Sequence, residues 1–599
     1  MSPLKFLTRN RILAFIVGLL IFIILIPGCL SLTSNSPPKN SQSDNKIAIA
    51  TGSNLPNSTS PLGVNLNGIA DWSTELPFLD HFRLARKWIP QNDSEWDTGE
   101  YDKLSLDANG WIKSLASNGI KYTRISTLLL REIPGMFPTG RYVVLYEGEG
   151  TITYGYEAKK IDAESKPGRD VLNVTGGGGG IYLTIAATDP KKTGNYIHNI
   201  RVVQEKYETA LKAGEIFNPV FLDKIKRFRT LRFMDWIATN NSPQKEWAER
   251  AKVTDYTWAN EKGVPLEIMV ALANKLKADP WFNMPHLATD DYITKFAQYV
   301  KDNLDPDLTA YVEYSNEVWN WMFGQAKYAQ EQGQRRWGQD KGDAWVQWYG
   351  MRSAQMSDIW QGVFSNQAKR VVCVISSQTA WKGLEDAVLN CPLWVAEGNK
   401  PCYQHGFKAY AITSYFGAGL DEPKNEKTVR AWMNEPDGGF SKAFQQLRDG
   451  SVIPGNRDRN AEDFAYHGKV AKDKGLQLVV YEGGQSIIAA NLVGQSNDDP
   501  LIKFFTEISR RPEMEEIYTQ VLNTWKKNGG TIYNQFLDAS RPDKWGNWGA
   551  LEYIDQNGSP KYNALMKFID NNPCWWDSCV KTLSPNKSTQ SQLSYLKIQ

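Results

Sequence analysis

Two carboxylates stand where the chain's spacing could put them to work. The run Tyr311-Val312-Glu313-Tyr314-Ser315-Asn316-Glu317-Val318-Trp319 is an apolar strand that runs into Asn-Glu. Leu478-Val479-Val480-Tyr481-Glu482-Gly483-Gly484 is a second apolar strand that ends in Glu, with two glycines behind it. Glycines there would let a ligand or a backbone approach closely. Asn-Glu recurs at 260–261, 425–426 and 434–435, but only the copy at 316–317 closes an apolar strand. Either glutamate alone is explained as a helix cap or a solvated strand end. Two facing carboxyls can do more, since one can give and take a proton while the other attacks. That is the minimum equipment for glycoside hydrolysis with retention, at about 5–5.5 Å separation. Glu313 is awkward, because it has the strand parity of Glu317. It must either meet a buried Arg or Lys, or lie before a bulge that resets the parity.

Other chemistries find no support. The Gly176–Gly180 run lacks the Lys-Ser/Thr of a phosphate loop and reads as a turn. The His at 81, 198, 286, 405 and 467 form no HxxxH, and the Cys at 29, 373, 391, 402, 574 and 579 form no CxxC, so no metal site is expected. Cys391 with Cys402 and Cys574 with Cys579 are expected as local disulfides, and Cys373 as a buried free thiol. A net charge of +2, with no long basic run, argues against nucleic acid as a partner. The 22 Trp, 26 Tyr and 23 Phe exceed ordinary usage. Most must be core, but indole faces also stack on the C–H faces of sugars.

The elements that must hold the two carboxylates repeat. Apolar strands are expected at 62–66, 231–235, 280–286, 310–315, 370–376, 408–414, 477–481 and 531–535, with helical sequence between them. Eight β-α units predict an α/β fold, a parallel (β/α)8 barrel. The glutamates then end its fourth and seventh strands, on different parts of one rim. The alternation fails over residues 97–207, where Gly-punctuated strand pieces predict an inserted all-β domain. The barrel is thus assigned 61–96 and 208–572, with a tail at 573–599. This exceeds the about 250 residues of a plain barrel, so long loops must build a groove on one end.

Asn-Glu on the fourth strand with Glu on the seventh resembles clan A of the glycoside hydrolases, retaining barrel enzymes that include cellulases and mannanases. More loosely, Leu231–Trp236 and Trp281–His286 resemble stretches of bacterial secreted proteins labelled cellulose-binding. The resemblance implies Glu317 as acid/base and Glu482 as nucleophile, with Asn316 on the sugar 2-hydroxyl. It implies that Arg232 keeps the nucleophile ionised, with Glu317 titrating higher. His286 would line the pocket, Tyr415 would bond the nucleophile, and Trp545 or Trp548 would form a sugar platform. No cofactor is implied. The substrate expected is an extracellular polysaccharide, most like a β-glucan or cellulose. The alternative is a non-catalytic carbohydrate-binding lipoprotein on the same scaffold.

The N-terminus sets the compartment. Lys5, Arg9 and Arg11 precede an apolar run from Ile12 to Ile26 that ends Pro27-Gly28-Cys29. The run suits a signal-peptide core, and its end resembles a lipobox in which Cys29 would be lipidated, anchoring the chain to a bacterial membrane; the alternative is an uncleaved signal anchor, and both put the rest of the chain outside the cytoplasm. The Ser/Asn/Pro-rich stretch 30–60 is expected to be a flexible tether.

Overall fold

The computed structural model describes residues 55–115, 119–576 and 579. The signal peptide, the lipobox-like end and nearly all of the tether lie outside these residues, as does most of the C-terminal tail.

Eight parallel strands close a barrel: β1 (Leu62–Asn65), β2 (Thr230–Arg232), β3 (Asp279–Met284), β4 (Ala310–Tyr314), β5 (Val371–Ser376), β6 (Phe407–Phe416), β7 (Gln477–Gln485) and β8 (Tyr533–Gln535). Each pairs with the next in sequence, and β8 pairs back to β1 through Leu62↔Tyr533. The fold is a (β/α)8 barrel, as the eight-fold alternation predicts. The strands are buried nearly throughout, which is why they read as continuous apolar runs rather than alternating ones. Helices Leu266–Leu276, Asp290–Asn303, Ala344–Phe364, Asn460–Lys474 and Glu513–Lys527 follow strands β2, β3, β4, β6 and β7. The long helical region expected at 321–364, after β4, holds two helices, Gly324–Trp337 and Ala344–Phe364, separated at Gly338, whose φ is +99°. The helix expected near residues 76–88 is only the short 3-10 turn His81–Leu84, begun by the Asp80 carboxylate on the Phe82 amide.

Residues 89–204 form two antiparallel four-stranded sheets and a two-stranded one, 105–106 with 112–114. One four-stranded sheet has the order 89–91, 124–129, 181–188, 150–156; the other 198–204, 140–147, 169–174, 158–160. The first strand, Ile89–Gln91, starts ahead of residue 97, and Arg124–Leu129 is a further strand not foreseen. Among the described residues these strands pair only with one another. The sheets nonetheless share one apolar cluster with the barrel. Trp88 stacks on Tyr256 at 5.1 Å and Phe82 on Trp111 at 5.6 Å. Cys391 is joined to Cys402 and Cys574 to Cys579, and Cys373 is a buried free thiol.

Candidate active site

At the C-terminal ends of the barrel strands, one buried guanidinium organises four side chains. Arg232 ends β2 with no exposure. Its Nη1 donates to Glu482 Oε1 at 2.7 Å and to Asn65 Oδ1 at 3.0 Å. Its Nη2 donates to Glu313 Oε2 and Asn316 Oδ1, both at 2.9 Å. Burial opposes its charge, and the two carboxylates outweigh that and keep it protonated.

Glu313 is therefore the residue that meets a buried Arg. It also accepts from Trp281 Nε1 at 3.1 Å, Asn283 Nδ2 at 2.9 Å and Ser376 Oγ at 2.7 Å. With both oxygens satisfied it is a counterion inside the barrel, and its parity with Glu317 does not matter. β4 ends at Tyr314, and Ser315 and Glu317 take φ values of +60° and +40°. That left-handed backbone, rare for side chains with a Cβ, turns Glu317 away from the strand's alternation.

Glu317 is held by two neutral donors. Tyr481 OH donates to Oε1 at 2.9 Å and Asn320 Nδ2 to Oε2 at 3.0 Å. Glu482 receives the Arg232 guanidinium on one oxygen and the Tyr415 hydroxyl on the other, at 2.9 Å. A break in register explains how neighbours Tyr481 and Glu482 both reach the mouth. Opposite β6 the pairing steps from Ile412↔Val480 to Thr413↔Glu482, leaving Tyr481 as an extra residue. Such a bulge lets successive side chains share a face that plain alternation would divide.

Burial raises both carboxyls. It pushes Glu482 up to about 8 against the pull of Arg232, with the charge of Glu317 adding to the rise. It raises Glu317 against the bonds from Asn320 and Tyr481. The expectation that Glu482 titrates low is thereby corrected, because a guanidinium divided between two carboxylates does not cancel the loss of water. What Arg232 does is decide where the charge sits. The pair titrates together, and in its singly protonated state the charge belongs on Glu482, beside the cation, and the proton on Glu317, which meets only neutral donors.

The remaining candidates divide. Tyr415 reaches Glu482 as expected. Asn316 lies in the cluster with its amide nitrogen on Asn240 Oδ1 at 3.2 Å. His286 lies just beyond β3, and burial lowers its pKa to about 4, so it is neutral. Its ring stands edge-on to Tyr328 at 5.4 Å, and no hydrogen bond joins it to either carboxylate. Trp548 is packed into the protein, edge-on to Tyr415 at 5.6 Å and Phe536 at 5.5 Å, and its Nε1 donates to the Trp545 carbonyl. It backs Tyr415 rather than offering a face, whereas Trp545 is only half-buried. The glycines after Glu482 make room for protein: a Cβ on Gly483 would lie 2.5 Å from Tyr533 OH, and one on Gly484 2.8 Å from Tyr518 OH. Sequence reading missed Tyr481, Asn320 and Asn65. Asn320, three residues past Glu317, is the one a search for nearby donors could find. Among the described residues no group of three or more His, Cys, Asp or Glu is placed to hold a metal ion.

No family model matches the chain, and no curated protein matches it. Solved structures similar to it include a Bacteroidetes-affiliated GH5 cellulase linked with a polysaccharide utilization locus, at 10% identity over 59% of this chain and 84% of that one, TM-score 0.32. A GH10 endoxylanase retrieved from a sugarcane soil metagenome matches at 10% identity over 58% and 91%, TM-score 0.30. An endo-beta-1,4-mannanase from Thermotoga petrophila matches at 10% identity over 59% and 72%, TM-score 0.30. Glycoside hydrolases of this kind are thus among the barrel's structural neighbours, at distances too great to carry an activity across.

Proposed function

We propose that the chain is a retaining β-glycoside hydrolase, with Glu482 as nucleophile and Glu317 as acid/base. The observation that carries this is the unequal treatment of two buried carboxyls at one barrel mouth. Arg232 and Tyr415 stabilise charge on Glu482, while Glu317 has no cation bonded to it and holds the proton. In the first step Glu317 protonates the leaving oxygen as Glu482 Oε attacks the anomeric carbon, so that the glycosidic bond breaks while a glycosyl ester forms. In the second, Glu317 takes a proton from water, which attacks the same carbon and releases Glu482. The steps need only these two groups for proton and covalent work.

The substrate we infer is an extracellular polysaccharide of β-glucan or cellulose type. Trp321 and Trp381, on the loops after β4 and β5, are 44% and 53% exposed. They flank the buried Trp345 at 5.0 Å and 6.3 Å, beside the turn that carries Glu317. Exposed indoles on rim loops suit an extended chain better than a closed pocket. We place the protein outside the cytoplasm, tethered through Cys29 and residues 30–60.

Azide tests the roles. Glu482→Ala should abolish hydrolysis for every leaving group, with azide restoring turnover to the inverted glycosyl azide. Glu317→Ala should spare activated aryl glycosides, with azide giving retained product, because the anion works on the face of the missing carboxylate. The opposite pattern exchanges the roles. Inactivity on β-glucans, mannans and xylans, with sugar binding unchanged in both variants, assigns the barrel to binding alone.

A further inference from the structure

The loop that leaves β1 carries Trp72 and then the sheets of residues 89–204. Topology therefore delivers both to the barrel end that holds Glu317 and Glu482. Contacts fix the junction. The Arg131 amide donates to the Asp71 carbonyl at 2.7 Å, next to Trp72, and Arg541, on the loop after β8, donates to the Glu132 carbonyl.

A file of rings leads away from this junction. The Arg131 guanidinium lies over Tyr156 at 5.3 Å, Tyr156 is 5.2 Å from Tyr182, and Trp96 stacks on Tyr182 at 5.5 Å and 26°. Trp96 is 51% and Tyr156 53% exposed, and Trp72, at the rim, is 41% exposed. Among the described residues only two other large aromatics, Trp321 and Trp381, are exposed to this degree, so a cluster of such rings needs a reason. The middle ring is pinned, since Tyr182 OH donates to Gln91 and accepts from Ser126 at 3.1 Å. Fixed rings edged by hydroxyls and a guanidinium match a sugar chain, which has apolar C–H faces and a rim of hydroxyls. The charge there is partly answered locally: Glu132 lies 3.8 Å from Arg131 and 3.9 Å from Arg541. Two guanidiniums against one shared carboxylate leave a single net positive charge, too little to select an acidic polymer over a neutral one.

We propose that Trp96, Tyr182 and Tyr156 form a binding track for a neutral polysaccharide chain, continued by Trp72 to the barrel mouth. The occupant follows from the carbohydrate reading of the barrel, but the track can be tested apart from catalysis. Full-length protein carrying Glu482→Gln, which cannot digest its ligand, is run in native gels containing hydroxyethyl cellulose, glucomannan, arabinoxylan or laminarin. Retardation by at least one polymer is expected. Trp96→Ala and Tyr156→Ala should each weaken it about tenfold, the loss of one stacked ring, and Trp96→Tyr should restore most of it. Trp96 lies on a surface bend, so its replacement leaves the core intact. With Glu482 present, the same variants should hydrolyse small aryl glycosides at the parental rate and polymer more slowly. Retardation unchanged in both alanine variants overturns the track, as does no retardation by any of the four polymers. Retardation lost in the variants supports the track even if no substrate is cleaved, and in that case it is the hydrolase reading that fails.

Discussion

The two carboxyls proposed as catalytic differ by what touches them, and Tyr481 is the residue that shows it. Its hydroxyl donates to Glu317, and its ring lies 5.0 Å from the Arg232 guanidinium. Tyr481→Phe keeps the ring over the cation and removes only the donor. A donor to the charged form lowers a carboxyl's pKa, so its loss raises that of Glu317. Activity falls on the alkaline side where Glu317 gives up its proton, and that limb should therefore move to higher pH in Tyr481→Phe. kcat should drop about tenfold, as expected for a lost bond of about 1.5 kcal/mol to a developing charge. A pH–rate profile reads both, and an alkaline limb that stays or moves down contradicts the assignment of Glu317 as the acid. Tyr481 also marks the limit of the sequence. Glu317 and Glu482 were legible because each ends an apolar run, and Arg232 only through the family resemblance, since it lies near the start of the run expected at 231–235. Alternation sent Tyr481 to the opposite face from Glu482, and a bulge leaves no trace in residue order. The left-handed turn at Ser315 and Glu317 was equally silent, since neither residue type favours it.

The barrel's elements were legible for a related reason. Parallel strands buried on both faces must be apolar throughout, and all eight stand out from the helical sequence between them. The short strands of residues 89–204 were read less completely. Ile89–Gln91 contains a proline, and Arg124–Leu129 carries Arg, Ser and Thr, so neither has the apolar density that marks a strand. Closure of the barrel depends on one glycine. At Gly63, in β1, an added Cβ would lie 1.8 Å from both Thr230 Oγ1 and Asn534 Oδ1. Those atoms, from the strands on either side, are hydrogen-bonded at 2.5 Å across the gap that Gly63 leaves. Gly63→Val must separate them and leave two buried polar groups to find new partners. The expected loss is about 3 kcal/mol or more, the sum of overpacking and a broken buried bond. Denaturant unfolding should show it as a lower midpoint at an unchanged slope. A midpoint within error of the parent means that β1 can shift without opening the barrel.

At the scale of the whole molecule, the mouth is a place where carboxyls are buried in number, and this links folding to pH. Besides Glu317 and Glu482, Glu75 and Asp538 are buried there; both receive the Asn67 amide at 3.2 Å, and Trp236 Nε1 donates to Glu75 at 3.3 Å. Among the described residues no cation bonds to either side chain. Burial pushes Asp538 up to about 7 and Glu75 up as well, Glu75 also raised by the charge of Asp538. The native state thus holds protons that the unfolded chain, with ordinary carboxyls near 4, gives up. Stability from this pair is complete below that ordinary value and is lost as pH rises through about 7, because the native state binds more protons across the window. The melting temperature should accordingly fall between about pH 5 and about pH 8. Asp538→Asn removes one titrating group and keeps the shape, and its amide can donate to Glu75 in either charge state. The fall should shrink by several degrees in this variant, measured by calorimetry at both pH values in parallel with the parent. An equal fall in both proteins would place the pH dependence elsewhere, and a steeper one would show that Asp538 is ionised in the native state.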